Sequence, residues 1–369
     1  METFMSSEYI VSPSQIEPKL TTVWDSLQGT GKTRACLFNL IIYTQNNKRV
    51  DYLYSVAQKV ISKFPSRVIF VTIDEEVPKE TLKTSVSVIS SESELNPTAC
   101  DLINILLSMQ NRERAPFMIL PHIITDLPVY LLWADDPSKN DPVSQKLERL
   151  ATRVIFDSES TDSLLCFAKA VLNHKKSSGS DIADLNWARI EGWRQLLTET
   201  FKGADKLAAL KNLSQITLHY NCLETKFFCH TKIEALYLQG WIARQMGWTF
   251  SASRKQQNSS LITYKTQDHS VQVELKPKQI TAMAPGRILE VDLLCKDGEL
   301  FHFSRSQEDP HIINIHHSTP TLCQLPMQFI FDRYESGQSL VKEIFHHGTS
   351  SHFFSLLQWL SSLKGLDIA

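Results

Sequence analysis

The order of predicted strands and helices constrains this chain most strongly, because it changes halfway along the 369 residues. In the first half, apolar strand-like runs alternate with amphipathic helical segments. In the second half, the strand candidates after residue 246 follow one another with no helix between them. Alternation favours a parallel or mixed sheet with helices on its faces, whereas successive strands favour an antiparallel sheet covered by helices. The sequence therefore predicts an α/β domain followed by an α+β domain.

The first half provides the alternating pattern in detail. Apolar runs predict strands at residues 35–44, 67–73, 84–90, 129–133 and 153–156, the third of them at a sheet edge. Helical periodicity predicts helices at residues 15–27, 51–64, 97–110, 143–151 and 163–172. Pro97 suits the first turn of its predicted helix, where proline is tolerated.

In the second half, strands dominate. Alternating or apolar runs predict strands at residues 216–220, 261–266, 270–275, 287–294 and 300–305. Asp297 and Gly298 separate the last two runs, and this pair of residues suits the tight turn of a hairpin. Helical spacing returns only at residues 184–194, 231–246 and 351–363.

The length of the chain exceeds what one hydrophobic core usually supports, so two domains are expected. The clearest linker by composition is the run HKKSSGS at residues 174–180. We therefore predict an α/β domain at residues 1–173, a linker at 174–180 and an α+β domain at 181–369.

Composition excludes several classes of partner. With 38 basic and 40 acidic residues, the net charge is −2, which gives no overall basis for binding nucleic acid. No apolar run approaches the roughly 18 residues needed to span a membrane, and the first residues lack a signal-peptide pattern. The seven cysteines contain no CxxC pair, which is typical of reduced thiols. We therefore expect a cytoplasmic protein with no nucleic-acid or membrane partner.

The densest cluster of distinctive side chains lies at residues 184–194, DLNWARIEGWR. At helical spacing, Trp187 and Arg194 share one face, and Arg189 and Trp193 share a neighbouring one. Asp184 lies where such a helix would be capped. Tryptophan and arginine dominate binding hot spots, yet the same pattern suits a core helix whose arginines stack on its own tryptophans. The residue types favour the core helix.

Motifs for cofactors are weak. Residues 29–33, GTGKT, resemble the end of a phosphate-binding loop, but Ser26 stands where the motif needs its first glycine. The segment also follows a predicted helix and leads into a strand, which is the wrong order for such a loop. An ATP-driven switch through Lys32 remains an alternative, for which we expect no nucleotide affinity. No GxGxxG sequence is present, and the sequence predicts no cofactor.

Metal and catalytic patterns are also weak. Histidines cluster late in the chain, at His311, His316, His317, His346, His347 and His352. Their spacings differ from the i, i+4 pair that favours a metal site on a helix, so no metal site is predicted. Acidic residues at 74–76 and 135–136 follow predicted strands, where helix caps or a solvated rim are the expected roles. No nucleophile–base motif is present, and the sequence predicts no catalytic residue.

The Trp/Arg cluster nevertheless resembles the signature of one family, the OpcA proteins, which are glucose-6-phosphate dehydrogenase assembly proteins. The resemblance extends over roughly residues 15–363. The matching residues are Asp184, Leu185, Trp187, Arg189, Trp193 and Arg194, with weaker matches at residues 65–71, Asp126, Pro128, Trp133, residues 240–243 and residues 297–298.

The resemblance implies a non-catalytic partner that binds glucose-6-phosphate dehydrogenase, assembles or activates it and supports the oxidative pentose phosphate pathway. The Trp/Arg residues, Asp126 and Pro128 are then interaction or signature residues. The alternative is a sugar-phosphate-binding enzyme in which Arg189 and Arg194 clamp the phosphate. Arginines that line an open pocket would favour the enzyme, whereas arginines packed against Trp187 and Trp193 would favour the effector.

Overall fold

A computed structural model of the chain describes residues 3–5, 7–29, 33–91, 98–139, 141–228, 230–257, 259–331, 338–346 and 348–363. The chain divides into two compact units, each built from three separate stretches of sequence. The first unit comprises Met1–Thr161, Ala170–Leu185 and Glu335–Thr349, and the second comprises Asp162–Lys169, Asn186–Tyr334 and Ser350–Ala369.

The helices are distributed along the whole chain. They are α1 (Ile16–Ser26), α2 (Val50–Lys63), α3 (Ala115–Ile119), α4 (Ser144–Glu148), α5 (Leu164–Ser178), α6 (Leu185–Arg189), α7 (Glu191–Thr200), α8 (Ala204–Lys211), α9 (Ile233–Gln245), α10 (Gln338–Phe345) and α11 (Ser351–Ser362). Short 3-10 helices lie at Pro13–Gln15, Met109–Arg114, Leu120–His122 and Ser158–Ser160.

The first unit contains a mixed sheet, as the sequence predicts. Its strands are β1 (Thr3–Met5), β2 (Tyr9–Val11), β3 (Thr33–Arg34), β4 (Asn39–Gln45), β5 (Arg67–Asp74), β6 (Leu82–Ser91), β7 (Thr98–Ser108), β8 (Val129–Trp133), β9 (Arg153–Phe156) and β10 (Asp181–Asp184). The main path runs β1-β6-β7-β5-β4-β8-β9-β10, with β2 on β6 and β3 on β7. The pairs from β7 to β10 are parallel, and β6 is antiparallel to its neighbours.

The central strands of this sheet are apolar because both of their faces are covered. Six of the seven residues of β4 are buried, and β5 is almost as enclosed. Strands of this kind appear in sequence as near-continuous runs of Val, Ile and Leu. The helix α2 contributes a buried stripe at helical spacing that includes Leu53, Val56 and Val60.

The second unit is built on an antiparallel sheet, which confirms the predicted α+β class. Its strands are β11 (Leu213–Asn221), β12 (Thr249–Gln256), β13 (Ser259–Lys265), β14 (Ser270–Lys278), β15 (Ile288–Cys295), β16 (Leu300–Arg305), β17 (Ile312–Ser318) and β18 (Met327–Ile330). The order is β12-β13-β14-β11-β15-β16-β17-β18, and among these pairs β11 and β14 run parallel. Residues alternate between a buried face and a more open polar face, as in β14.

One predicted helix is wrong. Residues 98–108 form β7, which lies between β5 and β6, and not the helix expected at 97–110. Ala99, Leu102, Ile103, Ile105 and Leu107 are all buried, so apolar residues occur on both faces of the strand. A continuous apolar run does not distinguish a buried strand from a buried helix, which explains the error.

The predicted linker, residues 174–180, lies in a helix end and the turn that follows it. The helix α5 continues to Ser178, and Gly179 follows it with φ of +72°, a conformation that glycine adopts without strain. The next strand, β10, pairs in parallel with β9. The run HKKSSGS is therefore the end of a helix and the turn into a strand, and its polar composition reflects an exposed helix end.

Other differences are smaller. The strand β6 is not at the edge, because β1 and β2 pair with it. Two of the late histidines, His316 and His317, lie on the strand β17. Thr30, Gly31 and Lys32 of the weak phosphate-loop motif lie outside the described residues, as does His347. Within the described part of the chain, no helix has the length and apolar character to cross a bilayer.

Candidate functional site

The Trp/Arg segment folds as two short helices rather than the single helix predicted. The strand β10 ends at Asp184, α6 occupies Leu185–Arg189, and Ile190 separates it from α7. Gly192 follows this break and lies so close to Phe331 that a Cβ atom would be 3.0 Å from its ring. Glycine at this position therefore allows α7 to pack directly on an aromatic ring.

Asp184 belongs to the first unit, where it is fully buried. Its carboxylate accepts hydrogen bonds from the amide of Ser158, at 2.9 Å, and from the hydroxyl of Ser158, at 3.1 Å. A buried carboxylate needs such donors, since leaving it unpaired costs several kcal/mol. Asp184 therefore ties the end of β10 to the 3-10 turn that follows β9.

In the second unit, Arg194 stacks on Trp187. The guanidinium carbon lies 3.6 Å from the centroid of the Trp187 ring, and Nη2 donates to the Trp187 carbonyl at 3.4 Å. Trp187 is buried, and its ring also lies 5.6 Å from that of Phe353. The contact is a cation–π pair across one helical break.

Arg189 contacts a different set of residues. Its Nη1 donates to Oδ1 of Asn186 at 2.6 Å, and its guanidinium lies 5.2 Å from the centroid of the Phe228 ring. The two arginines of the segment therefore pack against separate aromatic partners. Arg194 stacks on a tryptophan of the segment, as the core-helix interpretation predicts, whereas Arg189 contacts Phe228 and not Trp193. The arrangement gives no support to a shared phosphate clamp.

Trp193 is the anchor of the segment. Its side chain is fully buried and meets Phe331 edge to face, with ring centroids 5.3 Å apart. The guanidinium of Arg305 lies 5.4 Å from the Trp193 ring and 5.1 Å from the Phe331 ring. Arg305 also donates to the carbonyls of Ile288 and Pro310, both at 2.6 Å. Burial, with a smaller effect of Arg287, lowers the pKa of Arg305.

The sequence pattern did not identify Arg305 or Phe331 as partners of the signature. Both lie more than a hundred residues from Trp193, and their proximity depends on strand order. The sequence identifies Arg305 only as the last residue of the strand predicted at residues 300–305.

Asp126 and Pro128 lie on an exposed turn of the first unit. Asn39, the first residue of β4, is fully buried and fixes this turn. Its side-chain amide donates to the carbonyls of Ile124 and Leu127, at 3.0 and 3.3 Å, and its Oδ1 accepts from the Ile124 amide at 2.9 Å. The turn is therefore held rigidly while Asp126 and Pro128 face solvent.

A charge network centred on the buried pair Arg67 and Asp101 in the first unit was not predicted from the sequence. Arg67 on β5 donates to Asp101 on β7 at 2.7 Å and to Glu17 on α1 at 3.0 Å. Asp101 also accepts from Arg34 and from the indole of Trp24, at 2.8 and 2.7 Å. Although burial alone would raise the pKa of Asp101, the two arginines and Trp24 outweigh it and hold that pKa below its usual range.

The network is completed by His122. Its Nδ1 lies 2.9 Å from Oε1 of Glu17, and its carbonyl accepts from Arg67 at 2.9 Å. The hydrogen bond with His122, together with the charge of Arg67, holds the pKa of Glu17 below its usual range. The network joins α1, β3, β5, β7 and the 3-10 turn at Leu120–His122, and every one of these elements belongs to the first unit.

The polar face of the second sheet carries ion pairs that, unlike Arg67 and Asp101, are partly open to solvent. Lys276 pairs with Glu274 at 3.0 Å, Lys278 with Glu290 at 2.8 Å, and His302 with Asp292 at 2.5 Å. The hydrogen bond to Asp292 raises the pKa of His302, against a smaller effect of burial.

One group of described residues has the composition of a metal site. Ligand atoms of Cys295, Asp297 and Glu299, at the β15–β16 hairpin, lie within 4.8 Å of one another. However, burial and the two carboxylates raise the pKa of Cys295 to about 12, and its thiol donates to the Ala209 carbonyl. Glu299 accepts from His317 at 2.6 Å. Asp297 accepts from the side-chain amide of Asn212 at 2.9 Å, so a hydrogen bond accounts for each of these side chains.

Two family models match the chain in succession. The model described as the N-terminal domain of a glucose-6-phosphate dehydrogenase subunit matches residues 57–170, and the model described as its C-terminal domain matches residues 180–348. Both models carry the family name OpcA.

Curated relatives agree with these models. A protein named "Putative OxPP cycle protein OpcA" from Nostoc punctiforme is 27% identical over 217 residues, which are 56% of this chain and 43% of the relative. A protein of the same name from Synechococcus elongatus is 22% identical over 261 residues, which are 68% of this chain and 54% of the relative. The chain thus spans about half the length of these relatives.

Similarity to solved structures is weaker. The transcriptional regulator Gal80p of Kluyveromyces lactis has a TM-score of 0.49 at 8% identity, covering 93% of this chain and 98% of that one. The dehydrogenase GnnA of Acidithiobacillus ferrooxidans, which acts on UDP-N-acetylglucosamine, has a TM-score of 0.47 at 9% identity, covering 88% and 96%. These values are too low to support an argument about activity.

Proposed function

The chain belongs to the OpcA family, and from this premise we propose that it binds glucose-6-phosphate dehydrogenase and promotes that enzyme's assembly or active state without catalysing a reaction itself. Such a role would support the oxidative pentose phosphate pathway. The observation that carries the proposal is the succession of the two family models over residues 57–170 and 180–348.

The contacts of the two signature arginines, Arg189 and Arg194, support the proposal. Arg194 lies on Trp187, and Arg189 lies between Asn186 and Phe228, so each is engaged in packing within the second unit. A phosphate clamp would need both guanidinium groups to converge on one open space. The rival hypothesis, a sugar-phosphate-binding enzyme built on Arg189 and Arg194, has no comparable support.

Exposure separates five of the seven candidate residues into two groups, whereas Arg189 and Arg194 are half-buried. Asp184, Trp187 and Trp193 are buried, so they act by holding the fold together. Asp126 and Pro128 lie on a rigid, solvent-facing turn that a partner protein can reach. We therefore assign the turn at residues 124–128 as a candidate contact with the dehydrogenase.

An effector changes activity only by binding one state of its partner more tightly than another. A tenfold shift in the balance of two states needs about 1.4 kcal/mol of differential binding. One or two well-packed side chains at an interface supply free energy of that size. A non-catalytic protein of this kind needs no perturbed acid–base pair.

The proposal is tested by titrating this protein into glucose-6-phosphate dehydrogenase from the same organism and measuring the rate of NADP⁺ reduction. We expect a saturable rise in the rate. For the Asp126→Lys variant we expect the half-saturating concentration to rise about tenfold, which corresponds to 1.4 kcal/mol.

The matched control is Asp25→Lys, which reverses another exposed aspartate of the first unit. It should behave like the unmodified protein. An unchanged dehydrogenase rate at every concentration would refute activation, and equal effects of the two variants would refute the assignment of the 124–128 turn.

A further inference from the structure

The polar face of the second sheet contains a pocket of about 560 Å³. It lies where β11 and β14 run side by side, next to the ends of β12 and β13. A volume of this size falls in the range of small-molecule sites, which is roughly 300–1,000 Å³.

Three nitrogen-bearing side chains occupy one side of the pocket. His219 lies on β11 directly beside Lys276 on β14, and Lys278 follows two residues along the same strand. Each ammonium has three donors, and ion pairs with Glu274 and Glu290 hold the lysines at 3.0 and 2.8 Å. The lysines are therefore positioned by the sheet, while about 40% of each side chain remains exposed to a ligand.

His219 is the most enclosed of the three. Its side chain is 17% exposed, and its Nδ1 is buried without a hydrogen-bond partner among the described residues. Burial, with a smaller effect of Lys278, lowers the pKa of His219.

Other residues that line the pocket suit hydroxyl groups. They are Gln256, Gln257 and Ser259, at the connection between β12 and β13, and Glu274 on β14, whose carboxylate pairs with Lys276. Amides, hydroxyls and carboxylates offer donors and acceptors together, as a polyhydroxylated ligand requires. No phenyl or indole ring is among the residues that line the pocket, so it lacks the stacking surface that a nucleotide base would use.

We propose that this pocket binds a small phosphorylated sugar. The phosphate would lie against Lys276, Lys278 and His219, and the sugar hydroxyls against the glutamines, Ser259 and Glu274. The site differs from the Arg189/Arg194 pair and belongs to the polar face of the sheet. It would give this protein a sensor of sugar phosphate, separate from its contact with the dehydrogenase.

The test is isothermal titration calorimetry of the isolated full chain with glucose 6-phosphate, and separately with inorganic phosphate and with glucose. We expect saturable binding of glucose 6-phosphate and at least tenfold weaker binding of the other two probes. Lys276→Gln and Lys278→Gln should each weaken glucose 6-phosphate binding about tenfold, whereas Lys276→Arg should retain it within about threefold.

The matched control is Lys265→Gln, an exposed lysine at the end of β13 that does not line the pocket. It should bind like the unmodified protein, and thermal melting should give all four variants the same transition. Absence of saturable binding, or equal losses in the control, would overturn the site. Equal affinity for phosphate or for glucose would overturn the ligand class. The dehydrogenase is absent from this experiment, so its outcome is independent of the proposed function.

Discussion

The two units provide examples of ion pairs in opposite surroundings. In the first, Arg67 and Asp101 have side chains only 8% and 4% exposed and join five elements of the fold. In the second, Lys276 and Lys278 pair with carboxylates on a sheet face and are about 40% exposed. The enclosed pair has no surface left for a ligand, whereas the open pairs keep donors available. The same chemistry therefore serves the fold in one region and suits recognition in the other.

Buried and exposed ion pairs should contribute differently to the free energy of unfolding. Removing one member of a buried pair strands the other charge in a poorly solvated place, which costs about 3–5 kcal/mol. An exposed pair contributes only about 0–1 kcal/mol, because water already solvates both groups. Measuring the free energy of unfolding of variants in each region therefore tests this contrast.

The largest effect is expected for Arg67→Met. The substitution leaves Asp101 buried with fewer positive partners, so the free energy of unfolding should fall by about 3–5 kcal/mol. Urea denaturation of the full chain measures it. Lys276→Met, its counterpart on the open face, should cost less than about 1 kcal/mol. Equal losses in the two variants would remove the distinction between the regions.

Lowering the pH should reduce the difference in free energy of unfolding between the unmodified protein and the Arg67→Met variant. The pKa values of Asp101 and Glu17 are lowered in the folded protein. Their contribution is therefore present above the unfolded pKa of about 4 and is lost as the pH falls through the folded values. Urea denaturation between pH 7 and pH 3 checks this, and a constant difference across that range would contradict it.

The smallest effect on stability is expected at His302, and its dependence on pH is the reverse of that of Asp101 and Glu17. Its pKa is raised by the hydrogen bond to Asp292, so its contribution is present below the unfolded pKa of about 6.5 and is lost as the pH rises through the folded value. His302→Gln should cost up to about 1 kcal/mol at pH 6 and nothing at pH 9. A larger loss at pH 9 than at pH 6 would disprove this interpretation.

Local patterns were enough to predict the class of each unit. The strand Leu300–Arg305 is predicted at its observed bounds, because it alternates cleanly and follows a hairpin turn. The strand β7 was missed because it is buried on both faces, and α5 was cut short because its exposed end resembles a linker.

Long-range partners could not be predicted. Arg67 and Asp101 are 34 residues apart in sequence, and His219 meets Lys276 only because β11 and β14 are parallel neighbours. Neither pairing leaves a local signal. The signature tryptophans were identified at once by composition, but their partners Arg305 and Phe331 depend on the order of the strands.

The central claim is association with glucose-6-phosphate dehydrogenase, and native mass tests it most directly. Sedimentation velocity of the dehydrogenase should be recorded alone and with increasing amounts of this protein. Our account predicts a larger species that contains both chains, or a shift of the dehydrogenase to a higher oligomer. Two independent boundaries with unchanged sedimentation coefficients at every ratio would contradict it.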